Sequence, residues 1–243
     1  MSSNDVDREL KRLSRRGFIT MAAAAGVGYA GWKWMRTRAR DAGLEWPLRN
    51  ALETNESVAE AYFSRARLSP NFRPSDVTRA RLNGRLGLQS PIDLDAWRLK
   101  IDGAASPASL TMDDIRALPR HEQITELRCI EGWSIIVKWT GARLGDLISK
   151  YPPAELPRYV ALETPDRGYY VGLDIDSALH PQTLLAYEMN GTPLALLHGA
   201  PLRLAIPVKY GIKNIKRIGT IRYTNIKPAD FWAERGYDWY AGH

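Results

Sequence analysis

The sequence predicts an α+β fold, arranged as a single domain with a mixed β-sheet and short helices. Of the 243 residues, 44% are apolar and 25% are charged, which is the composition of a domain with a real core. Short apolar runs of period two alternate with short helical patterns between residues 91 and 225. No internal repeat and no second change of composition divides this region, so one domain accounts for it.

The first 43 residues differ from the rest and are set apart from the fold. They carry nine Lys/Arg and four Asp/Glu, so +5 of the net charge of +7 lies here. A nucleic-acid-binding protein would have a basic body, which this chain lacks.

Arg15 and Arg16 precede an apolar stretch over residues 19–32. This stretch is too short to span a bilayer comfortably but is typical of a signal-peptide core. The pattern predicts a twin-arginine export signal and a periplasmic protein. A basic amphipathic tail, or a cytoplasmic helix containing two arginines, is the alternative.

The fate of this export segment stays open. Gly28 and Ala30 are small residues at the two required places, so a signal peptidase could cleave after Ala30. The aromatic and basic cluster Trp32-Lys33-Trp34 could instead hold an uncleaved segment at a membrane interface.

Residues 44–90 are predicted to form an irregular covering segment. One helix is expected over residues 52–66. The following residues 69–75 contain Pro70 and Pro74 among polar residues, which predicts an extended conformation.

The first half of the domain over residues 91–243 begins with a strand at 97–103, where apolar and polar residues alternate before a glycine turn. Thr111 is a helix cap followed by acidic residues, so a short helix is expected over 111–118 and ends before Pro119. A second strand is expected over residues 122–129.

The second half of the domain continues the alternation of short strands and short helices. It ends in an aromatic tail that we expect to pack onto the rest of the domain. The expected elements are a helix over 142–151, strands over 158–163 and 169–173, a turn or short helix within 178–187, strands over 201–208 and 217–223, and the tail over 231–240.

Cys129 is the only cysteine of the chain, so it cannot form an internal disulfide. It could be an inert buried thiol, a nucleophile, or a single thiolate ligand of a soft metal. The third role suits molybdenum or tungsten held by a pterin dithiolene, which needs one further sulfur donor. Metal binding deprotonates such a thiol.

A phosphate-bearing cofactor would also need cations, which residues 209–217 supply beside Gly211. A solvated basic strand edge is the alternative for that run.

Four collinear groups of segments resemble the sulfite oxidase superfamily of molybdopterin enzymes. The resemblance extends over residues 91–225 and, with the export signal, is closest to the exported bacterial branch that includes the catalytic subunit of the periplasmic methionine-sulfoxide reductase. The matching segments are the metal-cysteine loop at 128–134, the following strand at 159–164, a hairpin at 185–194, and a cofactor clamp at 198–204 and 209–216.

The resemblance implies a role for each matched residue. Cys129 would be the metal ligand, the equatorial thiolate on molybdenum. Thr164, His198 and Arg203 would hydrogen-bond the pterin and its phosphate arm. A structural histidine, satisfied by its neighbours, is the alternative for His198.

The resemblance also assigns the rest of the cofactor site. Asn214, Ile215 and Lys216 would hold the phosphate through backbone N–H groups and the Lys216 ammonium. Asn83 would close the cofactor from the N-terminal side. Apart from the resemblance, Tyr170, within residues 168–172, is a candidate catalytic residue that could donate a hydrogen bond to an oxo group on the metal.

One departure from the superfamily bears on the substrate. Sulfite oxidases follow the metal cysteine with an arginine-bearing loop, whereas this chain has Glu131-Gly132-Trp133-Ser134. A carboxylate and an indole are poor receptors for a dianion. For Trp133 and Trp139, a core position and a place in the substrate wall are equally open.

The departure favours a reductase of a sulfoxide or N-oxide. A sulfite-oxidising enzyme, or a non-catalytic binding protein that retains the fold, is the alternative. No haem is expected in this chain. We therefore expect a monomer that acts on a small-molecule substrate with electrons from a membrane cytochrome or quinol-linked partner.

Overall fold

A computed structural model describes residues 3–41 and 43–243. Residues 1, 2 and 42, which belong to the predicted export segment, lie outside the described residues. The chain forms two compact units, Met1–Ala51 and Leu52–His243.

The first unit is dominated by the helix α1 (Ser3–Arg36), which contains the predicted signal-peptide core. A two-stranded antiparallel ladder of β1 (Arg40–Asp41) and β2 (Leu44–Glu45) follows. Within this unit the buried Glu45 pairs with Arg36 at 3.6 Å. Among the described helices, none combines the length and the apolar character needed to cross a bilayer.

The helix α2 (Trp46–Tyr62) begins six residues before the predicted helix over 52–66. Its early start agrees with Pro47 in the first turn, where a missing N–H costs nothing and the fixed φ suits a helix. The chain then runs without regular structure to residue 98, apart from one 3₁₀ turn at Pro74–Asp76. The stretch is irregular, as expected, while its role as a covering segment stays a prediction.

The second unit alternates short strands and short helices in the predicted order. In chain order the elements are β3 (Leu99–Asp102), β4 (Ala108–Leu110), α3 (Met112–Arg116), β5 (Arg120–Arg128), β6 (Ser134–Arg143), α4 (Leu144–Lys150), β7 (Tyr159–Glu163), β8 (Tyr170–Asp174), α5 (Ile175–Ala178), β9 (Leu184–Met189), β10 (Thr192–Pro193), β11 (Arg203–Ala205) and β12 (Thr220–Thr224).

These strands form two five-stranded sheets. The mixed sheet has the order β4-β3-β12-β7-β8, in which β12 runs parallel to β3 and antiparallel to β7. The other sheet is antiparallel, with the order β10-β9-β6-β5 and β11 paired to β9. The predicted α+β class with a mixed sheet is confirmed.

Local signals explain the elements that were predicted correctly. The Thr111 hydroxyl accepts from the Asp114 N–H at 3.2 Å, while the Asp114 carboxylate accepts from the Thr111 N–H at 2.8 Å, so α3 begins with a capping box. Between β9 and β10, Asn190 and Gly191 both have positive φ, which is the turn that a tight hairpin requires.

Two features of the antiparallel sheet differ from the sequence prediction. The ten-residue strand β6 was not predicted, because the segment after Cys129 was interpreted only as a loop. The region 178–187 contains the predicted turn but then enters β9, whose residues are buried on both faces. Leu185 packs into the main core and Leu184 into a smaller core on the opposite side of the sheet. A strand buried on both faces shows no period of two, so its pattern resembles that of a buried helix.

Candidate active site

A cavity of about 580 Å³ opens beside Cys129. Several separate parts of the second unit contribute to its wall. They include the covering segment, the end of β5 with the loop after it, the chain from β11 to residue 216, and the aromatic tail. From these parts come Arg81, Cys129, Arg203, Lys216 and Trp232. The volume is within the range of small-molecule and cofactor sites.

The loop after β5 places Cys129 at the cavity wall with 8% of its surface exposed. The Cys129 N–H donates to the Trp133 carbonyl at 2.9 Å, and the Gly132 N–H donates to the Cys129 carbonyl at 3.1 Å. Gly132 has φ +84°, which this tight loop requires. The Asn83 side-chain amide donates to Sγ at 3.5 Å. Burial raises the pKa of the Cys129 thiol, so a metal that binds here displaces a proton.

Arg203, at the start of β11, supplies a buried cation, with 3% of its surface exposed. Its guanidinium donates to the carbonyls of His198 at 3.0 Å and Asn214 at 3.3 Å, and lies 4.8 Å from the ring centroid of Trp139. Its Nε–H has no partner among the described residues. Burial lowers the pKa of Arg203 to about 10. An unpartnered donor on a buried cation is suited to an anionic ligand.

Lys216 is the second cation of the cavity wall. Its Nζ donates to the carbonyls of Asn83 and Gly84, which ties the covering segment to the chain after Asn214. Burial, and after it the charge of Arg203, lowers the pKa of Lys216 to about 8. A bound phosphate would stabilise the protonated form of this ammonium.

His198 stands behind the cavity wall and does not line the cavity. Its backbone carbonyl, rather than its ring, receives the Arg203 guanidinium. Burial, followed by the charges of Arg203 and Lys216, lowers the pKa of His198, so the neutral imidazole is favoured. The observed role is support for Arg203, and a direct contact with the cofactor stays a prediction.

Asn214 and Ile215 serve mainly to shape the chain. The Asn214 side chain accepts from the Ile206 N–H at 2.9 Å and donates to the Tyr210 carbonyl at 3.2 Å, although the residue also lines the cavity. Ile215 is fully buried in the core, and its N–H donates to the Lys213 carbonyl at 2.9 Å. The Ile215 N–H is therefore already used, and the predicted phosphate contact would rest on the cations Arg203 and Lys216.

Like His198 and Ile215, the predicted site residues Thr164 and Tyr170 lie outside the cavity wall. The buried Thr164 hydroxyl donates to the Asp166 carboxylate at 2.7 Å and accepts from the Tyr169 N–H at 3.1 Å, so it is used by the β7–β8 turn. The Tyr170 hydroxyl donates to the Glu234 carboxylate, and this hydrogen bond, followed by burial, raises the pKa of Tyr170. The structure does not bring these two residues together with Cys129.

The sequence did not identify several residues that line the cavity. Tyr169 lines it in place of Tyr170, because successive side chains point to opposite faces of an extended chain. The Tyr169 hydroxyl donates to the Ile212 carbonyl. Trp232 and Tyr237 come from the tail, where no spacing rule indicated a site. Of the two tryptophans left open, Trp133 lines the cavity, whereas Trp139 is a core residue with 2% exposure.

The basic run over residues 209–217 is divided by the fold. Only Lys216 of its cations lines the cavity. Lys209 and Lys213 are 1% and 0% exposed and lie beneath the aromatic tail. Arg217 donates to the Ser90 carbonyl at 2.9 Å. The expectation that the whole run serves the cofactor is therefore too broad, since three of its four cations stabilise the fold.

The cavity fits a molybdopterin cofactor. It offers one soft sulfur donor in Cys129, the unpartnered Nε–H of Arg203 and the Lys216 ammonium for an anionic arm, and a volume suited to a large ligand. Within the described residues, no group of three or more His, Cys, Asp or Glu side chains could hold a metal ion. Fold and site together define the class of sulfite-oxidase-like molybdopterin oxidoreductases.

Comparison with known proteins places the chain within this class. Residues 87–232 match the family described as the oxidoreductase molybdopterin binding domain, and the chain belongs to that family. It is a molybdenum-dependent oxidoreductase, and the predicted enzyme class and superfamily are confirmed.

The relatives include two kinds of protein. The chain is 39% identical over 157 residues to the protein-methionine-sulfoxide reductase catalytic subunit MsrP of Xanthomonas campestris pv. campestris. This match covers 58% of this chain and 49% of the relative. It is 33% identical over 206 residues to the putative protein-methionine-sulfoxide reductase subunit YedZ1 of Azospira oryzae. This match covers 83% of this chain and 78% of the relative. The match thus spans about half the length of the first relative.

A solved structure supports the fold alone. The sulfane dehydrogenase SoxCD from Paracoccus pantotrophus superposes with a TM-score of 0.53 at 18% identity. The match covers 57% of this chain and 40% of that chain.

Proposed function

We propose that the protein is a reductase of sulfoxides, with methionine sulfoxide as the main substrate class. The observation that carries the proposal is the position of Cys129 in a cavity that also presents Arg203 and Lys216. The rest of the wall is largely apolar and aromatic, which suits a neutral thioether oxide. The names of the relatives, which are methionine-sulfoxide reductase subunits, support the same substrate.

Each cavity residue has a role in this proposal. When bound, the molybdenum cofactor supplies the two-electron reduction that converts a sulfoxide, with two protons, into a sulfide and water. Cys129 gives the thiolate ligand, and the Asn83 amide orients its sulfur. Arg203 and Lys216 neutralise the anionic arm of the cofactor. Tyr169 and Trp232 hold the apolar arms of the substrate and exclude water.

The cellular context is part of the proposal. Residues 1–43 would act as a twin-arginine signal or an anchor, residues 44–90 would cover the site, and residues 91–243 would form the catalytic domain. Arg15 and Arg16 are exposed on α1, where an export receptor could reach them. We propose a periplasmic monomer that receives electrons from a membrane cytochrome or quinol-linked protein.

The test uses the full chain expressed in a host that makes molybdopterin. The wild type should contain about one molybdenum and one pterin per chain and should reduce sulfoxides with an artificial electron donor. Cys129→Ala should lose the turnover and keep the thermal unfolding temperature. Ser109→Ala, which removes a side-chain atom from an exposed position of β4, is the control and should match the wild type. Turnover by Cys129→Ala would exclude the thiolate role.

Sulfite oxidation is the second candidate, and Arg81 favours it. This guanidinium lies in the cavity wall and could bind an anion, although residues 130–134, which follow Cys129, contain no arginine. Glu131 lines the same wall, and its carboxylate would repel a dianion, which argues against this candidate. The wild-type enzyme should be assayed with sulfite and an artificial electron acceptor beside the sulfoxide panel. A kcat/KM for sulfite above that for every sulfoxide would favour the second candidate.

A further inference from the structure

We infer that Arg81 binds the oxygen atom of the substrate, and that Glu131 beside it restricts the site to neutral S-oxides and N-oxides. The inference deepens the proposed function and rests on it. Arg81 lies in the irregular covering segment, 48 positions before Cys129 in the chain, and no residue near it carried a predicted role except Asn83.

Arg81 and Cys129 face the same cavity. The Arg81 guanidinium carbon lies over the indole of Trp133, 4.4 Å from its ring centroid, so the cation contacts the face of the ring. Stacking leaves the N–H edge of an arginine available for hydrogen bonds. In the part of the chain that the structure describes, Arg81 has no ion pair and no hydrogen bond. Its donors are therefore free for a ligand in the cavity that it shares with Cys129.

Glu131 is fixed against the same indole. The Trp133 Nε1–H donates to its carboxylate at 2.9 Å, and Glu131 also lines the cavity. One indole thus holds a cation on its face and an anion at its edge. The two charges nearly cancel at a distance, while at short range the guanidinium still donates to one oxygen atom.

This arrangement separates substrates by charge. The oxygen of a sulfoxide or N-oxide carries partial negative charge on a neutral molecule, so it gains the Arg81 hydrogen bond without strong repulsion from Glu131. A dianion such as sulfate gains the same bond but is repelled by the carboxylate. The aromatic tail supplies Trp232 and Tyr237 to the cavity wall, and their rings offer apolar surface to the alkyl arms of the substrate.

The first experiment measures kcat and KM of the cofactor-loaded enzyme with N-acetylmethionine sulfoxide amide, which is neutral. Arg81→Gln should lower kcat/KM about 10- to 100-fold, the effect of one charge-assisted hydrogen bond. Arg81→Lys should restore part of the loss, and added guanidinium should partly rescue Arg81→Ala. Arg79→Gln, in the same segment and outside the cavity wall, is the matched control and should behave as wild type. A kcat/KM for Arg81→Gln within twofold of wild type would overturn the inference.

The second experiment measures binding and needs no turnover. Calorimetric titration of the cofactor-loaded protein with inorganic sulfate should give tighter binding to Glu131→Gln than to wild type, by about tenfold, and weaker binding to Arg81→Gln. Equal affinities for all three proteins would overturn the charge selection. If the wild type turns over no sulfoxide and no N-oxide, the proposed function fails, while these affinities still decide whether Arg81 and Glu131 control anion binding.

Discussion

Individual side chains in this protein take roles that their local sequence does not reveal. Lys209 belongs to the basic run that was expected to bind phosphate, yet its Nζ lies 2.7 Å from the ring centroid of Tyr240 and 3.6 Å from the Asp174 carboxylate. Its Nζ has no hydrogen-bond partner among the described residues. A lysine in this setting stabilises the tail by packing and by cation–π attraction, because it is shielded from any ligand.

The burial of Lys209 predicts a pH dependence of stability. Burial lowers the pKa of Lys209 to about 7, well below the value of an exposed lysine. Between pH 7 and about 10 the unfolded chain therefore binds more protons than the folded chain, and the free energy of unfolding should rise with pH. This rise should be reduced in Lys209→Met and retained in Lys100→Met, an exposed control in β3. Urea unfolding at several pH values measures it, and parallel curves for all three proteins would contradict the assignment.

At the scale of elements, short connections decide where the site residues stand. The turn at Gly199 brings the chain before β11 against Lys216, and Gly199 has φ +102°. A Cβ atom at this position would lie 2.8 Å from the Lys216 Cβ and 3.0 Å from the Arg217 nitrogen. The close approach of two backbones therefore positions a cation of the cavity wall, and only glycine permits it.

Two glycine substitutions separate conformational strain from steric overlap. Gly191→Ala, at φ +82° with open space around it, should lower the free energy of unfolding by about 1–2 kcal/mol. Gly199→Ala adds overlap with Lys216, so the loss should be about 2–5 kcal/mol. Only Gly199→Ala should also reduce the molybdopterin content per folded chain. Urea unfolding and pterin analysis test both, and equal effects of the two substitutions would show that the contact with Lys216 is not important.

At the scale of the whole second unit, a buried ion pair joins three distant parts of the chain. The Lys213 Nζ donates to the Asp230 carboxylate at 2.6 Å and to the Gly172 carbonyl of β8 at 2.8 Å. The Trp239 ring centroid lies 4.5 Å from the same Nζ. The tail that supplies Trp232 to the cavity is thereby fixed to the strand and to the chain before Lys216, so the cavity depends on this pair.

Removing one partner of this pair should be costly. Lys213→Met leaves the Asp230 carboxylate 2% exposed and without its cation, so the free energy of unfolding should fall by about 3–5 kcal/mol. The double variant Lys213→Met with Asp230→Asn removes the unpaired charge and should recover part of that loss. Denaturant unfolding measures both variants. A double variant no more stable than the single one would show that the charge itself is not the cause.

The sequence predicted the class and most of the elements, and several of the site residues that it named line the cavity, while their roles stay predictions. Thr111 acts through contacts a few residues away, which is why α3 could be predicted. The hairpin of β9 and β10 was implied only by the resemblance of residues 185–194. Cys129 could be identified because a single thiol in its sequence context allows few roles. By contrast, β9 was only partly predicted because burial on both faces removes the alternation that marks a strand.

By itself, the sequence determined the α+β class and the candidate thiolate at Cys129, because composition and short-range periodicity are properties of the chain. It indicated the superfamily through the resemblance of four collinear segments. Only the tertiary structure decided that Tyr169 rather than Tyr170 lines the cavity, that Lys213 is buried while Lys216 lines the cavity, and that Arg81 faces Cys129. These outcomes depend on contacts between residues tens of positions apart, whose free energies arise from burial and charge pairing that no local pattern encodes.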